Sequence, residues 1–328
     1  MGNRTMCRMA AGLLLFFFMA SSMITFAARQ EQEAVQMEIV QEEDGWMDEA
    51  LEEVGEVTEP ITKEDKPYLS LGANLSHGQK DTVLKLLGIN PGELSDYDVI
   101  YTTIDEEYQY LGNYLPAEKM GQKSLSSVVV VKREQGHGIS ITTKNISYCT
   151  IGMYKNALIT AGISDADIIV AAPFPISGTG ALVGVLKAYS GMTGEAFSEE
   201  SMDTALNELV LTGALAETLE DTQQAEELIA YLKQQILEQE LASPEEIRQA
   251  VRQAGREFGL SLTEEDIEKV TELLEKIGRL DLEAEDLVSQ ARDLYDRLSD
   301  IGGSEGFFDR LLDFFRSILD YIKGLFGK

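Results

Sequence analysis

The stretch Asp165-Ala-Asp-Ile-Ile-Val-Ala-Ala-Pro-Phe-Pro-Ile-Ser-Gly-Thr-Gly-Ala-Leu-Val-Gly184 decides the fold. Ile168 to Ala172 is a short continuous apolar run, the pattern of a strand covered on both faces. Pro173 and Pro175 are expected to end it, because proline donates nothing to a sheet ladder. Ser177, Gly178, Thr179 and Gly180 then open a helix whose first backbone N–H groups have no partner within it. Ligands of α/β sheets sit at such strand-to-helix corners. These four residues are therefore the candidate ligand-binding set, and a small anion is the class that suits them. Their spacing matches neither G-x-G-x-x-G nor the P-loop, and no lysine follows Gly180 closely. Close packing of a helix on a sheet accounts for Gly180 and Gly184 without any ligand. Ser177 lacks the G-x-S-x-G frame of an acyl-transfer nucleophile.

Upstream, the pattern extends this corner into a domain over residues 67–213. Tyr68 to Ala73 alternates as a strand. Ser76 and Gln79 form a capping box, and Val83, Leu84, Leu86 and Leu87 give the following helix a buried face. Asp98 to Thr103 is the next strand, and Asp105 is expected to cap a helix through Leu111. Leu125 to Lys132 and Gly138 to Ile146 are strands that Arg133-Glu-Gln-Gly-His137 should join as a hairpin. Thr150 caps a helix ending at Gly162, and a last helix runs from Ser198 to about Thr212. Two segments echo each other as helix, Gly-Ile turn, Asp-x-Asp, strand: one leads to Asp96-Tyr-Asp-Val-Ile, the other to Asp165-Ala-Asp-Ile-Ile. Internal duplication and chance similarity of two β-α-β units both account for the echo. The fold class is α/β, or α+β, with β-α-β units on a central mixed sheet and a C-terminal helical module.

That module covers residues 214–301. Ser243-Pro-Glu-Glu246 and Thr263-Glu-Glu-Asp266 start helices. Leu282, Leu287, Leu294 and Leu298 mark a further one, and the set reads as a small bundle. Gly302 and Gly303 form a hinge before an amphipathic helix over 304–328. Phe308, Leu311, Phe315, Ile318, Ile322 and Phe326 share one face, which Phe307 and Phe314 widen. The helix is near neutral and rich in aromatics, as suits an interfacial helix held by apolar area. Closing the bundle core is the other use of such a face.

Residues 1–27 have the form of a secretory signal peptide. Arg4 and Arg8 form a basic start, Met9 to Met19 an apolar run, and Thr25-Phe-Ala27 a cleavage site. Retention as an N-terminal anchor is the alternative. Residues 28–66 are acidic and too poor in apolar groups to offset their ordering entropy, which predicts a disordered linker. The chain of 328 residues carries a formal charge of −30. That charge argues against nucleic acid, whose phosphates need clustered lysine and arginine. The expected place is secreted, or the outer face of the envelope after cleavage. The expected partners are a membrane surface, a cell-wall polymer or an envelope protein.

Leu71-Gly-Ala-Asn-Leu, Tyr110-Leu-Gly-Asn-Tyr-Leu-Pro116, Tyr154-Lys-Asn-Ala-Leu-Ile-Thr-Ala-Gly162 and Ala171-Ala-Pro-Phe-Pro-Ile-Ser-Gly-Thr-Gly-Ala-Leu together resemble the YpuA-like family of exported Gram-positive proteins. The resemblance covers residues 67–213. It implies an envelope or extracellular place, and it brings no activity, ligand or catalytic residue.

The chemistry-bearing residues point to binding rather than catalysis. His77 and His137, the two histidines of the chain, have no metal-ligand spacing, and no calcium loop occurs. No metal or cofactor is expected. Asp96/Asp98 and Asp165/Asp167 suit turn capping better than a cation. Cys149 stands before the Thr150 helix start, where a thiol pKa can fall, but nothing places a histidine beside it. Tyr97, Tyr101, Tyr108, Tyr110 and Tyr114 crowd one stretch, either as half-buried packing or as a stacking surface for sugar rings. The sequence thus predicts a non-enzymatic binding or scaffolding protein, with an envelope hydrolase or small-anion-binding enzyme at the Pro173–Gly184 corner as the alternative.

Overall fold

A computed structural model describes residues 53–280 and 282, apart from 58, 59, 195, 240 and 242. The signal segment, most of the acidic linker, the helix marked by Leu287 to Leu298 and the aromatic face from Phe307 to Phe326 lie outside these residues.

Among the described residues six strands form one mixed sheet: β1 (Glu53–Gly55), β2 (Tyr68–Gly72), β3 (Asp98–Thr102), β4 (Ser127–Lys132), β5 (Ile139–Ile146) and β6 (Ala166–Ile176). Their spatial order is β1-β5-β6-β4-β2-β3. β2 with β3 and β5 with β6 pair in parallel, while the other contacts are antiparallel. The fold is α/β with a mixed sheet. The apolar run of β6 is buried along its whole length from Ala166 to Ala172, as continuous hydrophobicity requires of a strand covered on both faces.

The expected hairpin does not form. β6 lies between β4 and β5: Val129 pairs with Ile169 on one side, and Thr142 pairs with Ile169 on the other. A fully apolar strand takes the place with two neighbours, and the Arg133–His137 loop crosses over its start. That loop is tied down there. Arg133 N donates to Asp165 O at 3.0 Å, Arg133 Nε to Asp167 Oδ2 at 2.6 Å, and His137 Nε2 lies 2.8 Å from Asp167 Oδ1.

The prolines do not end β6 either. Pairing with β4 stops at Ala171, so Pro173 and Pro175 fall where β6 has become an edge, and an edge tolerates a missing N–H. Pairing with β5 resumes at Ile146 and Ile176 after a register shift. Asn145 supports the shift with φ of 61° and a hydrogen bond from Nδ2 to Ala172 O at 3.0 Å.

The helices are α1 (His77–Leu86), α2 (Ile104–Leu111), α3 (Ala117–Met120), α4 (Ile151–Thr160), α5 (Thr179–Thr193), α6 (Glu199–Leu219), α7 (Thr222–Glu238), α8 (Pro244–Glu257) and α9 (Glu264–Ile277). α1 starts at the Ser76–Gln79 capping box. It packs Val83 and Leu84 on Leu69, Leu71, Val129 and Ile169. Each such side chain contributes about 1.5–3 kcal/mol on burial. α4 and α5 cover the opposite face, where Met153, Leu158, Leu182 and Val185 meet Val128, Val130, Ile168 and Val170. The two β-α-β units therefore run in the same direction and step the same way across the sheet, yet their helices lie on opposite faces. Duplicated units would superpose with both helices on one face, so the Asp-x-Asp echo is not a structural repeat. One of the two crossovers must also have the uncommon left hand.

α6 continues to Leu219 instead of stopping near Thr212, because its apolar face does not end there. Leu206 and Leu209 belong to the sheet core, while Leu211 and Leu215 belong to a second core shared with α7, α8 and α9. The Ser243 and Thr263 capping boxes start α8 and α9. Between α6 and α7 the fully buried Lys233 Nζ and Glu208 Oε1 lie 2.9 Å apart. Lys276 of α9 reaches Asp203 Oδ2 and Tyr114 OH, both at 2.9 Å.

Candidate functional site

At the end of β6 the chain turns through Gly178, whose φ of 83° is in the left-handed region. Glycine enters that region without the steric cost that a Cβ brings. A Cβ at Gly178 would also lie 2.6 Å from Tyr154 OH, so the turn needs glycine twice over. Three interactions fix the turn from outside. Cys149 N donates to Ser177 O at 3.0 Å, Ser147 N to Ile176 O at 2.9 Å, and Tyr154 OH to Gly178 O at 2.6 Å.

α5 begins here without a side-chain cap. Ala181 N turns back to Gly178 O at 3.0 Å, and the N–H groups of Thr179 and Gly180 before it have no acceptor among the described residues. They are two of the orphan donors of a helix start. Ser177 and Thr179 bring hydroxyls 3.4 Å apart to the same place.

All four candidate residues, Ser177 to Gly180, line a cavity of about 320 Å³. Opposite them stand the segment Met120–Lys123 with Leu125 and Ser126, and the carboxyl of Glu107 from α2. Tyr108 OH holds the facing loop by donating to Gly121 O at 2.8 Å. Met120, Leu125 and Ile176 make part of the wall apolar. Lys123 and Gln122 are exposed.

Glu107 is the residue that reading the sequence missed. It is 6% exposed, and among the described residues its Oε1 has no hydrogen-bond partner within bonding geometry; the Ser124 hydroxyl, likewise buried and unpaired, is the protein donor next to the carboxyl. Burial pushes its carboxyl up to about 7; the nearby Ser124 hydroxyl opposes this shift and the charge of Glu106 adds to it. Two features put it there. Thr103, not Asp105, caps α2: Thr103 N donates to Glu106 Oε2 at 2.8 Å, and Glu106 N to Thr103 Oγ1 at 3.3 Å. The helix thus starts earlier than expected. Glu107 then shares the inner face with Leu111, one turn on. Gly180 makes room for it, since a Cβ there would stand 2.4 Å from Glu107 Oε2. Gly184 has the role expected of both glycines, letting α5 lie close to Ser70 and Thr102 of the sheet.

The other candidates are dispersed. Cys149 is buried, and burial pushes its thiol up to about 12. That position is far from the lowered pKa of a reactive cysteine. His77 is exposed beside Asp81, and His137 is engaged by Asp167 at the start of β6. Asp165 accepts from Gly138 N at 2.9 Å, and Asp96 from Lys63 at 3.2 Å. Among the described residues no cluster of three metal-ligating side chains occurs. Tyr101 and Tyr108 are exposed, while Tyr97, Tyr110 and Tyr114 pack against the two cores of the sheet.

Comparison with known proteins gives a family and no structure. A family model described as "Protein of unknown function (DUF1002)" matches residues 71–294. The "Uncharacterized protein YpuA" of Bacillus subtilis (strain 168) is 31% identical over 262 residues, which make up 79% of this chain and 89% of that protein. No solved structure matches.

Proposed function

Since this chain belongs to the DUF1002 family of proteins of unknown function, we propose on physical grounds that it is an exported, non-enzymatic binding protein of the cell envelope. Its α/β domain holds a small polar ligand at the β6–α5 corner. The observation that carries this reading is Glu107 Oε1. A buried carboxyl oxygen without a hydrogen-bond partner costs about 1–3 kcal/mol, and a ligand seated in the cavity that pairs with this carboxyl would offset that cost. The free N–H groups of Thr179 and Gly180 ask for a partner in the same place. The hydroxyl neighbour of Ser177 is Thr179, and no histidine lines the cavity, which favours binding over hydrolysis. Export rests on the signal-like residues 1–27. Contact with a membrane surface or an envelope partner rests on the aromatic face Phe307–Phe326.

The binding role is tested by screening neutral, anionic and cationic small molecules against the isotope-labelled protein. Compounds that move the amide resonances of Ser177 to Gly180, and cease to do so when Gln122→Trp closes the rim, support it. A screen in which nothing moves those resonances removes it. Vesicle sedimentation with and without residues 304–328 tests the tail; equal sedimentation ends its membrane role.

A further inference from the structure

The corner cavity has a strongly one-sided inventory of polar groups. The N–H groups of Thr179 and Gly180 are donors without acceptors among the described residues. Ser126, Ser177 and Thr179 offer hydroxyls, and Lys123 offers an ammonium at the rim. The one acidic side chain on the wall is Glu107, which is nine-tenths buried, with Oε1 unpartnered among the described residues and the Ser124 hydroxyl, itself unpaired, as the protein group that competes for it. An acceptor-rich, negatively charged group answers the donors. Inorganic anions leave Met120, Leu125 and Ile176 uncovered, whereas an organic acid covers them with its hydrocarbon part.

We propose that the cavity takes a small organic carboxylate, with its –CO₂⁻ at the start of α5, its carbon chain against Met120, Leu125 and Ile176, and Glu107 in its acid form donating a hydrogen bond to it. The proposal rests on the binding reading above and adds the ligand class and its pH control. Two carboxyl groups in contact cannot both be ionised in a desolvated site without strong repulsion, so one proton must be held between them. Glu107 is suited to hold it, since burial raises its carboxyl to about 7. The titratable groups around it leave this role open. Glu106 on α2 is taken up by Lys187 of α5 at 2.6 Å. Tyr154 of α4 donates to Gly178 O, and Asp203 of α6 is paired with Lys276. Lys123 stands at the rim, where its ammonium favours an anion.

Binding therefore weakens as pH rises. Above the Glu107 pKa the acid form falls about tenfold per pH unit, and affinity falls with it. The test titrates the full chain with propionate, and in parallel with propionamide and inorganic phosphate, at pH 5.5 and pH 8.5. The amide shifts of Ser177 to Gly180 are read in each case. The expected result is propionate binding that is at least about tenfold tighter at pH 5.5. Glu107→Gln, which keeps a donor without a titrating proton, should bind propionate equally at both pH values. Three results overturn the proposal: propionamide binding as well as propionate, phosphate binding better than propionate, or wild-type affinity that rises with pH. A Glu107→Gln protein that keeps the wild-type pH dependence also overturns it. A neutral ligand that occupies the cavity independently of pH would sink this proposal and leave the broader binding reading standing. Circular dichroism of Glu107→Gln at both pH values separates a lost site from a lost fold.

Discussion

The carboxyl group of Glu107 fills the space that a side chain on Gly180 would need, with Oε2 only 2.4 Å from where a Cβ would stand. Neither residue makes sense alone. Gly180 sits in the first turn of α5, where alanine would favour the helix by about 1 kcal/mol, and Glu107 is an acid in an enclosed place.

The two substitutions are accordingly coupled. Gly180→Ala in the wild-type background should destabilise by about 1–2 kcal/mol through overpacking. In a Glu107→Ala background the same change should stabilise by about 0.5–1 kcal/mol. Chemical denaturation of the four proteins in the cycle measures the difference, and additive effects would show that the close approach is not energetically real.

Stability should also depend on pH through Glu107. Its folded-state pKa of about 7 lies above the ordinary value of 4.5. The native state therefore binds more protons than the unfolded state between these values. Its contribution is complete below about pH 4.5 and declines as pH rises to about 7, by up to about 3 kcal/mol. Glu107→Gln should flatten this part of the profile. Melting temperatures across that range, wild type against variant, show whether the slopes differ.

Lys233 and Glu208 form a fully buried pair whose partners are not equivalent. Lys233 Nζ also donates to Asn156 O at 2.9 Å. Burial lowers the pKa of Lys233 and raises that of Glu208, and each charge opposes the shift of the other. Glu208→Gln leaves a buried ammonium without a counterion and should cost about 3–5 kcal/mol. Lys233→Met should cost less, because Glu208 can then take a proton. Equal losses in urea denaturation would argue against this asymmetry.

Cys149 should be inert in the native state. With its thiol pushed up to about 12, its thiolate fraction at pH 8 is about one in ten thousand. Alkylation followed by peptide mass analysis should label Cys149 only after denaturation. Labelling of the native protein at the rate of an exposed thiol would mean that the helix α4 start opens.

Reading the sequence located the β6–α5 corner because its signals are local: an apolar run, two prolines and a glycine-rich helix start. It misplaced what depends on neighbours. Pro173 and Pro175 look like breakers until the end of β4 is known, and Arg133–His137 looks like a hairpin turn until β6 is seen to lie between the two strands. Glu107 was hidden for a different reason. In Asp105-Glu-Glu107 it resembles an ordinary acidic first turn, which a helix dipole favours. Its spacing from Leu111 was the available signal, since positions four apart share a helix face. Only the approach of α5, whose first residue Thr179 comes 72 residues after Glu107 in the chain, turns that face inward.

The place of β6 has a consequence for how the molecule comes into being. Without residues 166–176 the remaining strands fall into two groups, β1 with β5 and β4 with β2 and β3, that share no edge. A nascent chain must therefore be extended through Ile176 before its halves can join. Sheet formation is then governed by long-range pairing, which is slow, and the protein stays open until its late strand arrives to act as keystone.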